Sequence, residues 1–221
     1  MIHLNFPSNS PMLPAFDIAL HNSSIDIENC QQLVKVVLKE QPNIIAIKSS
    51  NPNDDPNWIT GKLWSYNFLD FDYPCVRYLE KFIYQKYLEY ALFCSIDSSK
   101  PVYVQCWVNI INNDGRNITR HHHANAHGEA PAEYSYISGN IALQTENTST
   151  FFAHPISQTN IYRGIPNING ELILFPSFMV HWTSKNLSDM PRITISFDII
   201  TEEVYNMVEN TNYRLLTKGN I

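Results

Sequence analysis

The sequence predicts a mainly β protein with flanking helices, whose core is a sandwich or barrel of short strands. Three observations lead there. From Pro101 to Thr201 the chain alternates short apolar runs with turns rich in Asn, Gly and Pro, the spacing of a sandwich or barrel. The first hundred residues instead carry two stretches with apolar residues at helical spacing. Between them the texture changes near Pro101 without a repeat or a low-complexity tract. Residues 1–221 therefore read as one domain, with a helical and mixed buttress over 1–100, a β-core over 101–201 and a C-terminal tail over 202–221.

The elements follow in order. Asp26 can cap a helix whose apolar face holds Leu33, Val34, Val37 and Leu38, and Pro42, which lacks a backbone N–H, is expected to end it. The run Asn43–Lys48 reads as a strand, and Ser49–Asn57, rich in Ser, Asn, Asp and Pro, as an exposed loop. Pro74 suits the first turn of a second helix, which runs to about Phe93 on a stripe of Val76, Leu79, Ile83 and Tyr87. In the second half, strands are expected over 102–111, 136–144, 150–153, 160–163, 171–175, 179–183 and 192–200.

Composition bounds the function. The 221 residues are 44% hydrophobic and 16% charged, ordinary for a globular chain long enough to bury a sizeable core. A formal charge of −6 disfavours nucleic acid as a partner. Cys30, Cys75, Cys94 and Cys106 show no C-x-x-C spacing, and Met1–Leu20 shows no secretory pattern. Four reduced thiols in a cytoplasmic protein are expected. No stretch approaches the apolar length needed to cross a bilayer.

The chemistry concentrates in three places. In Arg120-His121-His122-His123, an extended backbone would aim His121 and His123 to one side and His122 to the other. His181, far downstream, would complete a chelate of three imidazoles, which suits Fe, Zn, Cu and Ni alike. Arg192 opens a strand of alternating Ile/Phe and Thr/Ser/Asp. A guanidinium there is costly to bury without an anion, and its fork matches a carboxylate bidentately. Thr194 shares its face and can donate to the same anion. His3, His21 and His154 read as ordinary surface or core residues. Trp58, Trp64 and Tyr66, around the loop, could stack on a substrate or simply anchor that loop.

The segments Trp107-Val-Asn-Ile, Gly115, His121-x-His123, Ile137-Ser-Gly139, Gly170-Glu-Leu-Ile-Leu-Phe-Pro-Ser, His181 and Arg192-Ile-Thr-Ile-Ser-Phe-Asp198 resemble the Fe(II)/2-oxoglutarate oxygenase family of bacteria and their phages. The resemblance covers about the C-terminal half. It implies a double-stranded β-helix, the jelly-roll or cupin-like barrel, with Fe(II) at its open end. It also implies His121, His123 and His181 as metal ligands, and Arg192 with Thr194 holding the far carboxylate of the co-substrate 2-oxoglutarate. Asn109 is similar to an Asn that reaches that molecule's other end, although Ile111 stands where an aromatic hydroxyl often helps. O2 would be the second co-substrate.

One departure matters: most such sites read H-x-D or H-x-E, whereas here His123 follows His121. Three histidines could bind the metal; alternatively His127-Gly-Glu129 supplies the usual carboxylate; or His122 is the inward residue and Ala124 leaves a position open. The expected activity is hydroxylation of a C–H bond in a peptidyl residue or small polar metabolite, with release of succinate and CO2. A cupin metalloenzyme that does not use 2-oxoglutarate is the alternative, since Gly115-x5-His121-x-His123 fits half of a cupin motif, and a non-enzymatic jelly-roll binding module is another. Neither gives Arg192 a task. The oligomeric state is not legible.

Overall fold

A computed structural model describes residues 1–8, 14–48, 55, 59–114, 116–123, 137–156, 161–207 and 212–217. Among the described residues, ten antiparallel strands form two sheets: β1 (Ile2–Phe6), β2 (Phe16–Ser24), β3 (Val102–Ile111), β4 (Ile137–Gln144), β5 (Ser149–Ala153), β6 (Tyr162–Pro166), β7 (Glu171–Pro176), β8 (His181–Thr183), β9 (Arg192–Thr201) and β10 (Arg214–Leu215). The large sheet has the order β1-β2-β7-β4-β9-β3-β10, and the small one β6-β5-β8. Together they make the double-stranded β-helix, or jelly-roll.

Two helices, α1 (Ile27–Ala46) and α2 (Pro74–Phe93), cover the outer face of the large sheet. Asp26 caps α1, its Oδ1 accepting from the Asn29 N–H at 2.9 Å. Pro74 occupies the first turn of α2, where a missing N–H costs nothing. Leu33, Val37, Ile44, Val76, Leu79 and Ile83 from the helices pack on Val104, Cys106, Val108, Ile195 and Phe197 from the sheet. The inner faces of the two sheets enclose a second core of Leu4, Phe6, Leu20, Phe152, Ile173, Phe175 and Met179. No helix among the described residues is long and apolar enough to cross a membrane.

The strand expected over 43–48 is not one. The helix α1 continues through Pro42 to Ala46. The reason is Ile44, fully buried on the stripe that already holds Leu33, Val37 and Glu40. Burying it stabilises the fold by roughly 2 kcal/mol, which helps offset the hydrogen bond that Pro42 forfeits. The mixed first third also holds two unexpected strands: β1 and β2 form a hairpin, with Ile2 opposite Leu20 and Phe6 opposite Phe16, at the edge of the large sheet. Of the strands expected in the second half, 160–163 moves to β6. The segment 179–183 shortens to β8 because Met179 closes a turn, its N–H donating to Pro176 O at 3.0 Å.

Candidate metal and co-substrate site

Two strand segments face each other at the mouth of the barrel. His121 and His181 are direct antiparallel partners, exchanging both backbone hydrogen bonds at 3.1 and 2.9 Å. The Thr183 N–H donates to Ile118 O at 3.1 Å, and the His123 N–H to Ser177 O at 2.9 Å. Residues 118–123 thus run beside β8 as an extra, irregular strand. Alternation then aims His121 and His123 inward and leaves His122 exposed. Outside, Arg120 lies flat on the Trp182 ring, 3.9 Å from its centre. The reading in which His122 is the inward residue is therefore corrected. His127 and Glu129, the alternative carboxylate pair, lie outside the described residues, as do Gly115 and Trp58.

The ligand atoms of His121, His123 and His181 all lie within 4.8 Å of one another. Each ring has its Nδ1 engaged on the far side. That of His121 donates to Thr119 O at 2.7 Å and that of His181 to Met179 O at 2.9 Å. The His123 Nδ1–H lies 2.7 and 2.8 Å from the two carboxylate oxygens of Asp198. These contacts fix the tautomer and turn each Nε2 lone pair toward a common point. Burial, helped by the neighbouring rings, pushes His181 well below the usual histidine range and lowers His121 as well. Burial also opposes charge on His123, but the Asp198 carboxylate outweighs it and raises His123. Phe175 and Phe152 wall His181 at ring-centre distances of 4.8 and 6.0 Å, and Trp107 lies 5.8 Å from His123. Three imidazoles held against aromatic walls suit a divalent transition metal.

The co-substrate candidates line β9. Arg192, Thr194, Ser196 and Asp198 alternate on one face, and all but Ser196 are buried. Arg192 is only 2% exposed, and its Nε and Nη1 have no hydrogen-bond partner among the described residues. Burial lowers its pKa to about 10, so it remains a cation at neutral pH. Asn109, directly across from Thr194 on β3, reaches Thr194 Oγ1 at 3.3 Å and Ser196 Oγ at 2.9 Å through Nδ2, while its buried Oδ1 is unpaired. A buried cation with two idle N–H groups is the gap a carboxylate fills.

Three residues, Asp198, Ser138 and Ser177, entered the sequence reading only as parts of the matching segments and were given no role. Ser138 donates to Asp198 Oδ1 at 2.6 Å and lies 2.8 Å from Ser177 Oγ. Stepping by twos from Arg192 and Thr194 would have reached Asp198. The aromatic residues of the loop sort differently. Tyr66 is an anchor, buried, with its hydroxyl oxygen accepting the Val108 N–H at 2.9 Å, and Trp64 is partly buried.

Fold and site together are those expected of a 2-oxoglutarate-dependent non-haem iron oxygenase, an oxidoreductase. Residues 105–198, less than half of the chain, match the family model described as "Putative 2OG-Fe(II) oxygenase". Among solved structures, the chain is similar to the non-haem α-ketoglutarate-dependent carbocyclase SnoK from nogalamycin biosynthesis, at 12% identity and a TM-score of 0.60 over 90% of this chain and 92% of that one. It is also similar to a prolyl-4-hydroxylase of Pseudomonas putida, at 9% identity and a TM-score of 0.54 over 84% and 94%. A third is the epimerase SnoN in complex with Fe3+, α-ketoglutarate and nogalamycin RO, at 14% identity and a TM-score of 0.53 over 83% and 79%. At these identities the likeness speaks for the fold. Comparison with curated protein sequences gives no match.

Proposed function

We propose that the chain hydroxylates a C–H bond of a small polar metabolite or a peptidyl residue, converting 2-oxoglutarate and O2 to succinate and CO2. The observation that carries this reading is Arg192, a buried guanidinium with two N–H groups unpaired among the described residues, on the strand face that ends at Asp198 behind His123. A dicarboxylate laid along that face would meet the cation at one end and the metal at the other. A cupin or an inert jelly-roll has no use for such a cation.

In this reading His121, His123 and His181 hold Fe(II), each presenting Nε2. Bound iron supplies the oxygen chemistry. Arg192 holds the far carboxylate of 2-oxoglutarate through Nε and Nη1. Thr194 accepts from Asn109, so its own hydroxyl hydrogen is free to donate to the same carboxylate. Asn109 assists through Thr194 and Ser196, whose hydroxyl oxygens its Nδ2 holds in place. Trp107, Phe152 and Phe175 keep water from the rings, so charge is handled in a low dielectric.

The substrate class rests on less. One structural neighbour is named for prolyl hydroxylation and another is bound to nogalamycin RO, so both a peptidyl residue and a small molecule suit this barrel mouth. The acidic balance disfavours nucleic acid. All four cysteines are free and three are buried, which supports a reducing, cytoplasmic setting. The test is an anaerobic Fe(II) and 2-oxoglutarate titration followed by succinate release with candidate substrates. A visible charge-transfer band on adding both is expected. Folded protein that gives no band refutes the reading, and stimulation by nucleic acid alone refutes the substrate class.

A further inference from the structure

We propose that Asp198 is the positioning residue that gives an all-histidine metal site its negative charge, acting from behind His123. This rests on reading His121, His123 and His181 as ligands. The three rings are not equivalent. Two donate Nδ1–H to neutral backbone carbonyls, Thr119 O and Met179 O. Only His123 donates to a carboxylate, and it does so to both oxygens. His123 is also the residue two after His121, where an H-x-D site would carry its anionic ligand. The anion has been moved outward by the width of one imidazole.

The surroundings of Asp198 support this. It is 4% exposed, and the only cation-forming side chain recorded against it among the described residues is His123. No Lys or Arg among the described residues is paired with it. A buried carboxylate without a permanent cation is expensive, unless a positive charge sits close by. A divalent metal on the Nε2 of the same ring provides one, and the imidazole conducts the interaction in both directions. The carboxylate is also held still. Ser138 donates to Oδ1 at 2.6 Å, and Ser177 Oγ lies 2.8 Å from Ser138 Oγ, placed to donate in turn. Ser177 O accepts the His123 backbone N–H at 2.9 Å. The chain Ser177, Ser138, Asp198, His123 closes on itself, so ring and carboxylate are aligned from both ends.

The substitution that isolates charge from shape is Asp198→Asn. An Asn can accept the His123 Nδ1–H and keep the geometry, but it carries no charge. Fe(II) affinity is measured anaerobically on wild type and variant, together with the position of the Fe(II)–2-oxoglutarate charge-transfer band. The variant is expected to fold as wild type does, to bind Fe(II) about 10- to 100-fold more weakly, and to shift the band to shorter wavelength, because less electron density reaches the metal. Asp198→Glu, which restores the charge, is expected to move both readouts back toward wild type. Wild-type affinity and band position in Asp198→Asn overturn the proposal while leaving the ligand assignment intact. A wild type that binds neither Fe(II) nor Co(II) overturns both. If the Asn variant fails to fold, Ser138→Ala keeps the charge but loosens the carboxylate. A several-fold loss of Fe(II) affinity is then expected, and no change overturns the proposal.

Discussion

Replacing Arg192 with Met separates the two consequences of burying a guanidinium: it destabilises the empty protein and it binds an anion. The side chain is 2% exposed, with Nε and Nη1 unpaired among the described residues. Burial lowers its pKa to about 10, well below the usual arginine range, which is equivalent to roughly 3 kcal/mol against the charged form. A cation whose pKa is lower in the folded state destabilises the fold at every pH below about 10, so at neutral pH the whole penalty is present. Met fills a similar volume without charge. Such replacements of buried ions are neutral or stabilising by about 1–4 kcal/mol, which for a chain of this size is a rise in Tm of a few to roughly ten degrees. The same change removes two charge-assisted hydrogen bonds to 2-oxoglutarate, each about 1.5–3 kcal/mol, so affinity should fall by about 100-fold or more. Thermal unfolding with and without 2-oxoglutarate, in the presence of Fe(II) under argon, reads both effects. Wild type should gain stability with ligand as mass action requires, whereas Arg192→Met should start higher and gain little. A variant that unfolds several degrees below wild type in the absence of 2-oxoglutarate, or that still responds to it, would show that the guanidinium is satisfied within the fold and is no clamp.

The other predictions concern ligands and packing. His123→Ala should lose Fe(II) binding, measured by metal content after anaerobic loading, whereas His122→Ala, removing an exposed ring, should load as wild type does; equal loss in both would point to a ligand set drawn from elsewhere. Gly139→Ala would place a Cβ 2.4 Å from Phe197 Cζ and 2.7 Å from Leu174 Cδ2, both in fully buried side chains; overpacking of this kind costs about 1–3 kcal/mol, visible as a Tm drop of several degrees. Asn67→Ala would remove the hydrogen bonds that Nδ2 donates to Val104 O and Asn212 O at 2.9 and 2.8 Å, and that Oδ1 accepts from the Leu69 N–H. A loss of about 2–4 kcal/mol is expected, with amide exchange quickened at 68–70 and 212–215.

What could be read in the sequence was what depends on local period or on rare residue types. The second helix was legible to its ends because Pro74 starts it and Val76, Leu79, Ile83 and Tyr87 keep one stripe. His121, His123, His181 and Arg192 stood out because such residues inside a β pattern demand a partner. The errors at the N-terminal end are of another kind. Pro42 was weighed by its local cost, but Ile44 stays on the buried stripe of α1, and packing outweighed propensity. The alternation Ile2-His3-Leu4-Asn5-Phe6 was there to be read as a strand. Its edge position, however, exists only because β2 pairs with β7, with His21 opposite Leu174.

The network behind the three imidazoles was hidden for a stronger reason. Ser138, Ser177 and Asp198 lie on β4, on the turn after β7 and on β9, and only the sheet register, with Ser138 opposite both Phe175 and Asp198, brings them within hydrogen-bond reach. No local pattern encodes that register. It is set by the apolar alternation of β4, β7 and β9, in which Ile137, Ile141, Leu172, Leu174, Ile195, Phe197 and Ile199 face the helices, so the polar row on the opposite face falls into line as a consequence. The same alternation that packs the core thus places Arg192 at one end of β9 and Asp198 toward the other. A one-residue slip of β9 would turn both into the apolar helix interface, where neither charge has a partner. Polar site and apolar core therefore select the same register, and any sequence that keeps this barrel keeps the spacing between Arg192 and the three histidines.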